Sequence, residues 1–189
     1  MATARNNLEI EVKVAVASVA AARRLLRAKG FRVFKPRAFE SNQVFDTPDL
    51  RLRNSESLLR VRKIDGKGKL TYKAPPRNGR HKCREELEVT VGDAQVLAAI
   101  FTRLGFQPVF RYDKYRTEFR RGRTGIVTID ETPIGAYMEI EGPPQWIDRT
   151  ARLLGYTEKD YILLSYGRLY VDWCARNRRQ PGDMVFPPS

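Results

Sequence analysis

Three acid–apolar–acid triplets, Glu9-Ile10-Glu11, Glu86-Leu87-Glu88 and Glu139-Ile140-Glu141, constrain this chain more than any other feature. In a strand, side chains two apart leave the same face, so each triplet is a pair of carboxylates backed by an aliphatic residue. Like charges on one face destabilise a strand unless cations screen them. Arg60/Arg62 and Lys114/Arg116 carry the mirror problem and want an anion. A dry interior is excluded, because an unpaired buried ion costs several kcal/mol. What remains is a solvated outer face or a wet, charged interior. Acids and bases are segregated by segment, which favours an interior that holds metal ions and a polyanion together.

Period-2 alternation marks eight strands, at about 8–16, 42–46, 57–63, 69–74, 83–91, 108–120, 124–131 and 135–142. Helical spacing fills the longer gaps. Ser18 opens one helix, stopped at Gly30. Asp93 opens a second, with Val96, Leu97, Ile100 and Leu104 as its apolar stripe, stopped at Gly105. A third runs from about Gln145 to Leu154 and stops at Gly155, and a fourth covers about Ser165 to Arg176. Each of the first three ends in Gly plus an aromatic: Gly30-Phe31, Gly105-Phe106, Gly155-Tyr156. The units starting at Glu9 and Glu86 read as an internal duplication. The helix stripes are expected to cover Ile10, Val12, Val14, Leu87, Val89, Val91, Val127, Ile129, Met138 and Ile140. The polar strand faces then converge on the lumen of a barrel. The fold class is α+β: an eight-stranded antiparallel β-barrel with helices outside. Residues 1–176 read as one domain and 177–189 as a loose, Pro-rich basic tail.

At 189 residues and 42% hydrophobic, the chain suits one globular domain. No apolar run approaches the roughly 20 residues of a membrane span, and the first residues lack a secretory pattern, so a cytoplasmic location is expected. Cys83, Cys174 and the lone His81 give neither a disulfide framework nor a zinc site. The formal charge of +13 calls for an anionic partner. Nucleic acid is disfavoured, since neither zinc-finger spacing nor an RNA-binding-sheet motif is present.

One face collects Glu9, Glu11 and Lys13; Arg60 and Arg62; Lys73; Arg84, Glu86 and Glu88; Lys114, Arg116 and Glu118; Thr128 and Asp130; Tyr137, Glu139 and Glu141. These motifs resemble the CYTH family of triphosphate tunnel metalloenzymes, which groups class IV adenylyl cyclases, thiamine triphosphatases and inorganic triphosphatases. The Glu-x-Glu-x-Lys hallmark stands at Glu9-Ile-Glu11-Val-Lys13. Phe45-Asp46-Thr47, Leu59-Arg60-Val-Arg62, Leu70-Thr-Tyr-Lys73, Arg84-Glu-Glu86-Leu-Glu88, Lys114-Tyr-Arg116 with Asp130, and Glu139-Ile-Glu141 follow in the family's order, over about residues 8–170.

The resemblance implies a triphosphate tunnel. Glu9, Glu11, Asp130, Glu139 and Glu141 would hold Mg²⁺ or Mn²⁺, with Glu86 and Glu88 supporting a second ion or a water. Lys13, Arg60, Arg62, Lys73, Arg84, Lys114 and Arg116 would line the triphosphate's path, and Lys13, Glu9 and Glu11 would form the catalytic centre. Attack by water on ATP, thiamine triphosphate or tripolyphosphate gives a triphosphatase, and attack by a ribose 3′-hydroxyl of ATP gives a cyclase that releases pyrophosphate. Hydrolysis is preferred, because cyclisation needs a base pocket and the sequence shows none. Non-catalytic binding of polyphosphate or RNA 5′ ends is the further alternative, and either a monomer or a homodimer is compatible.

Two positions depart from the family pattern. Val44 stands where some members have a tyrosine before the Phe-Asp-Thr segment, and Leu163-Leu164 precede Ser165-Tyr166 where a basic residue is common. Asp46-Thr47-Pro48 also reads as an ordinary turn opening. His81 is expected to be solvated, and Glu118 to lie beyond the tunnel's end.

Overall fold

A computed structural model describes residues 7–187. The chain forms β1 (Leu8–Val16), α1 (Val19–Ala28), β2 (Arg32–Asp46), α2 (Arg51–Asn54), β3 (Leu58–Ile64), β4 (Lys67–Lys73), β5 (Lys82–Val91), α3 (Ala94–Arg103), β6 (Gln107–Arg120), β7 (Ile126–Thr132), β8 (Gly135–Glu141), α4 (Pro144–Leu153), a 3₁₀ turn (Glu158–Asp160) and α5 (Tyr166–Arg176). The eight strands close into an antiparallel barrel in the order β1-β5-β4-β3-β2-β6-β7-β8. Two four-strand walls, β2-β3-β4-β5 and β6-β7-β8-β1, join through the β2–β6 and β1–β5 pairs. The strands of the units that start at Glu9 and Glu86, β1 to β4 and β5 to β8, occupy matching places in the ring.

Local chemistry explains the helix limits. The Ser18 hydroxyl accepts from the Ala21 amide, and the Asp93 carboxylate from those of Gln95 and Val96. Gly30, Gly105 and Gly155 sit at φ of 81°, 89° and 88°, a left-handed conformation that favours glycine. The amide of each following aromatic then donates back to the helix: Phe31 to the Leu26 carbonyl, Phe106 to Phe101 and Tyr156 to Ala151. The Gly–aromatic signature is therefore a helix-stop device used three times.

Helix cover is uneven. α1 and α4 seal the outer face of β1, β7 and β8, burying Val12, Val14, Leu26, Phe31, Ile129, Met138, Ile140 and Ile147. The second half differs from expectation. Leu87 and Val89 remain exposed, as do Val96, Ile100 and Leu104 of α3. α3 instead turns Phe101 toward Phe45 and Phe106. A residue stripe at i, i+4, i+8 reports amphipathicity; it does not say which side faces the protein.

β2 begins ten residues earlier than its alternation suggests. Pro36 lacks an amide hydrogen, and two register shifts lie between Val33 and Ala38, so no regular period runs through that stretch. The C-terminal segment is not loose. Met184 is 1% exposed and bridges β6: its amide donates to the Arg111 carbonyl, and its carbonyl accepts from the Asp113 amide. Among the described residues, no helix is long and apolar enough to cross a membrane.

Candidate active site

The pleat sends Glu9, Glu11 and Lys13 of β1 inward with Arg60 and Arg62 of β3, Lys73 of β4, Lys82, Arg84, Glu86 and Glu88 of β5, Lys114 and Arg116 of β6, and Glu139 and Glu141 of β8. All of them line one cavity of about 930 Å³. Its wall carries twelve Lys and Arg side chains against eight Asp and Glu side chains. The inner face is the charged face, as the segregation of acids and bases requires.

Cross-strand neighbours fix the ion pairs. Lys13 faces Glu139 in the β1–β8 ladder, and its Nζ lies 2.9 Å from the Glu139 Oε1. Burial would lower the Lys13 pKa, but Glu139 and Glu11 hold it above its ordinary value. Lys13 is thus a fixed cation at neutral pH. Its ammonium also stands 4.5 Å above the Tyr166 ring. Glu139 pairs with Arg116 as well, and these two partners hold it well below the carboxylate range despite burial.

Asp130 is the one expected site residue that does not reach the cavity wall. Fully buried, it accepts from Lys114 at 2.8 Å, from Arg116 at 2.5 and 2.7 Å and from the Tyr166 hydroxyl at 2.7 Å. It orients cations. Glu40, which the short reading of β2 concealed, works the same way: burial opposes its ionisation, but Arg62 and Lys114 bring its pKa down to about 2.

The remaining carboxylates divide. Lys73 sits 2.6 Å from Glu9 and 3.1 Å from Glu86. Glu9 is drawn to about 2 by Lys73 and Arg84 against burial. Glu86, half-buried and beside Glu9 and Glu88, is pushed up to about 7. Glu88 is taken by Lys69 and Thr71. Glu11 receives Lys82 at 3.1 Å, a lysine one pleat from Arg84 that spacing alone could have placed. Glu141 is exposed at the rim, yet crowding by protein and the charges of Glu9, Glu11 and Glu139 raise it to about 7. Among the described residues, no three acids already stand as a coordination shell.

The cations are not all satisfied. The buried Nε atoms of Arg60 and Arg84 make no hydrogen bond among the described residues, although that of Arg84 stands 3.5 Å from a Glu9 carboxylate oxygen. Tyr112 accepts from Arg60 at 3.0 Å. Burial would raise its phenol, but Arg60, Arg62 and Lys114 bring it to about 8. No spacing rule singled it out, since its acidity arises from strands far apart in sequence.

Other expectations are corrected or completed. Glu118 lines the cavity and pairs with Lys35 instead of lying beyond its end. His81 is 7% exposed, with Nε2 2.7 Å from Asp148, so it ties the β4–β5 loop to α4 instead of being solvated. Asp46 caps a turn through the amides of Thr47, Leu52 and Arg53. At one mouth, β2, β6, α5 and the C-terminal segment present Val44, Val109, Phe110, Tyr170, Val171 and Pro181. This end of the cavity is apolar where the rest of its wall is charged.

Residues 7–166 match the CYTH domain. The chain belongs to the CYTH family. A candidate adenylate cyclase of Methanocaldococcus jannaschii is 30% identical over 134 residues, 71% of this chain and 76% of that protein. A Pyrococcus horikoshii structure superposes with a TM-score of 0.71 at 28% identity, covering 84% of this chain and 96% of that one. A candidate adenylyl cyclase from Hippeastrum, described as revealing a dominant triphosphatase activity, superposes at 0.63 with 20% identity, covering 92% and 97%. The Methanocaldococcus relative is named for adenylate cyclase activity, and the Hippeastrum structure shares the barrel fold.

Proposed function

We propose that this CYTH protein is a divalent-metal-dependent triphosphatase that hydrolyses a triphosphate inside the barrel. The carrying observation is a cavity wall with a cationic surplus, at which the buried Nε atoms of Arg60 and Arg84 make no hydrogen bond among the described residues. A buried donor calls for an acceptor, and at this wall a polyphosphate would supply the oxygens. Arg62, Lys73, Lys82, Lys114 and Arg116 would neutralise the rest of the chain, and Glu40 and Asp130 hold two of these cations in place.

The donor set also fits a hard cation. Glu141 and Glu86, each raised to about 7, are carboxylates that the protein's own cations do not hold ionised, and carboxylate oxygens are the donors a hard cation takes. Glu141 with Glu9, Glu11 and Glu139 would hold Mg²⁺ or Mn²⁺, and the ion would neutralise phosphoryl oxygens and polarise the phosphorus. Lys13, held protonated by Glu139, stabilises developing negative charge and does not act as a base. Glu86 has the acidity to accept a proton from an attacking water near neutrality.

Incubation of the pure protein with Mn²⁺ and either tripolyphosphate or ATP tests this reading. Release of inorganic phosphate is expected. Cyclic AMP and pyrophosphate as the main products would replace hydrolysis by cyclisation, and tight binding without turnover would reduce the protein to a binder.

A further inference from the structure

The outer coat of the barrel is complete on one side only. Val12 follows Glu11 on β1 as Val89 follows Glu88 on β5, and pleating turns both valines outward. Val12 is fully buried under α1 and α4, whereas Val89 is 54% exposed. The difference lies in the supply of helices. α4 follows β8 and crosses β8 and β1, but the chain passes from β4 to β5 through residues 74–81, which form no helix. The place over β4 and β5 that matches α4 is therefore open. β5 leads into α3 through Gly92-Asp93, and Gly68 of β4 lies against both Val91 and Ala94. Leu87 and Val89 on the strand and Val96, Ile100 and Leu104 on the helix thus frame one apolar surface.

Charge decides what covers it. A chain of formal charge +13 repels a copy of itself wherever cations would face each other. Helix α3 carries no ionisable side chain from Ala94 to Thr102, between Asp93 at its cap and Arg103 at its end. Laid antiparallel to a copy of itself with Asp93 opposite Arg103, the helix also sets Val96 opposite Ile100, twice over. A partner dominated by acids would find no cations along this strip to engage. We infer that α3 and the outer face of β5 form a two-fold interface between two copies of this chain, each α3 closing the open place over the other's β5. The five exposed side chains amount to roughly 450 Å² per copy, the size of patch that marks a functional surface. Two copies with a polar rim then reach about 1,200 Å², where specific interfaces begin and pairing is weak. The interface backs the strand that carries Arg84, Glu86 and Glu88 into the cavity.

Sedimentation velocity of the full chain tests the interface. Wild type is expected to pass from monomer to dimer between about 1 and 100 μM, and added salt should tighten the pairing by screening net charge. Val96→Lys and Ile100→Glu should each weaken self-association by about tenfold or more, because each buries an unpaired charge. An equimolar mixture of the two variants should regain it, since the new ammonium of one copy then faces the new carboxylate of the other. Both positions are exposed in the single chain, so melting curves at low concentration should match wild type. Wild type that stays monomeric up to about 100 μM overturns the interface. So does dimerisation that both variants retain, or a mixture that pairs no better than either variant alone.

Discussion

Glu139 and Glu141 lie two residues apart on one strand, and their ionisation is pulled in opposite directions. Glu139 faces Lys13 and Arg116 and is held well below the carboxylate range, whereas Glu141 faces Glu9, Glu11 and Glu139 and is raised to about 7. Glu9 and Glu86 repeat the contrast around Lys73, at about 2 and about 7. One member of each pair is therefore held ionised by the protein's own cations, and the other is not. Carboxylates that share a face thus differ in charge state before any ligand arrives.

The sharpest way to break the contrast is Glu139→Gln. It removes the partner of a buried lysine, so a loss of about 3–5 kcal/mol in unfolding free energy is expected, together with a turnover loss of at least about a hundredfold. Denaturant titration and phosphate release measure the two. A stable, active variant would show that Glu139 is not the anchor of Lys13.

Glu141→Gln should behave in the opposite way. In metal-free buffer at pH 8 the folded chain loses a crowded charge, so its melting temperature should hold or rise. The stabilisation that wild type gains from Mg²⁺ or Mn²⁺ should disappear, and turnover should drop by about tenfold or more. Undiminished metal-dependent stabilisation would move the ion elsewhere.

A smaller effect follows from pH alone. Glu86 and Glu141 bind a proton more tightly folded than unfolded, where the value is 4.5. Their contribution is thus fully present below about 4.5 and is lost as pH rises through about 7. Without metal, the melting temperature should fall by a few degrees between pH 5 and 8, on the order of 2–4 °C per kcal/mol for a chain of this size. Saturating Mg²⁺ should flatten that slope. A metal-free profile rising over this range would contradict the assignment.

The smallest effect is reserved for Tyr112→Phe. Arg60 loses one acceptor, and any limb of the pH–rate profile near 8 should vanish or shift while the fold persists. An unchanged limb would assign it to another group.

The eight strands, four longer helices and inward charged face were legible because alternation of period two and helix caps are local signals. Ser18, Asp93 and the three glycine stops needed only neighbouring residues. Glu40 was hidden by the irregular start of β2 around Pro36, and the acidity of Tyr112 by its dependence on three cations from other strands. The exposed stripe of α3 could not be told from the buried stripe of α1, because α4, which covers α1's side, lies far along the chain. Asp130 was recognised as part of the site, but its burial behind Lys114 and Arg116 is a property of the closed ring.

The position of β1 also sets a schedule for assembly. The first strand made has β5 and β8 as its partners in the ring, and the Lys13–Glu139 register joins residues more than a hundred positions apart. Ring closure must wait until β8 exists, and such non-local pairing is slow. The nascent chain therefore carries an open edge for most of its synthesis, and Glu9 and Glu11 meet Glu139 and Glu141 only in the final zipping step. No partial barrel emerging during translation can present the complete acid cluster.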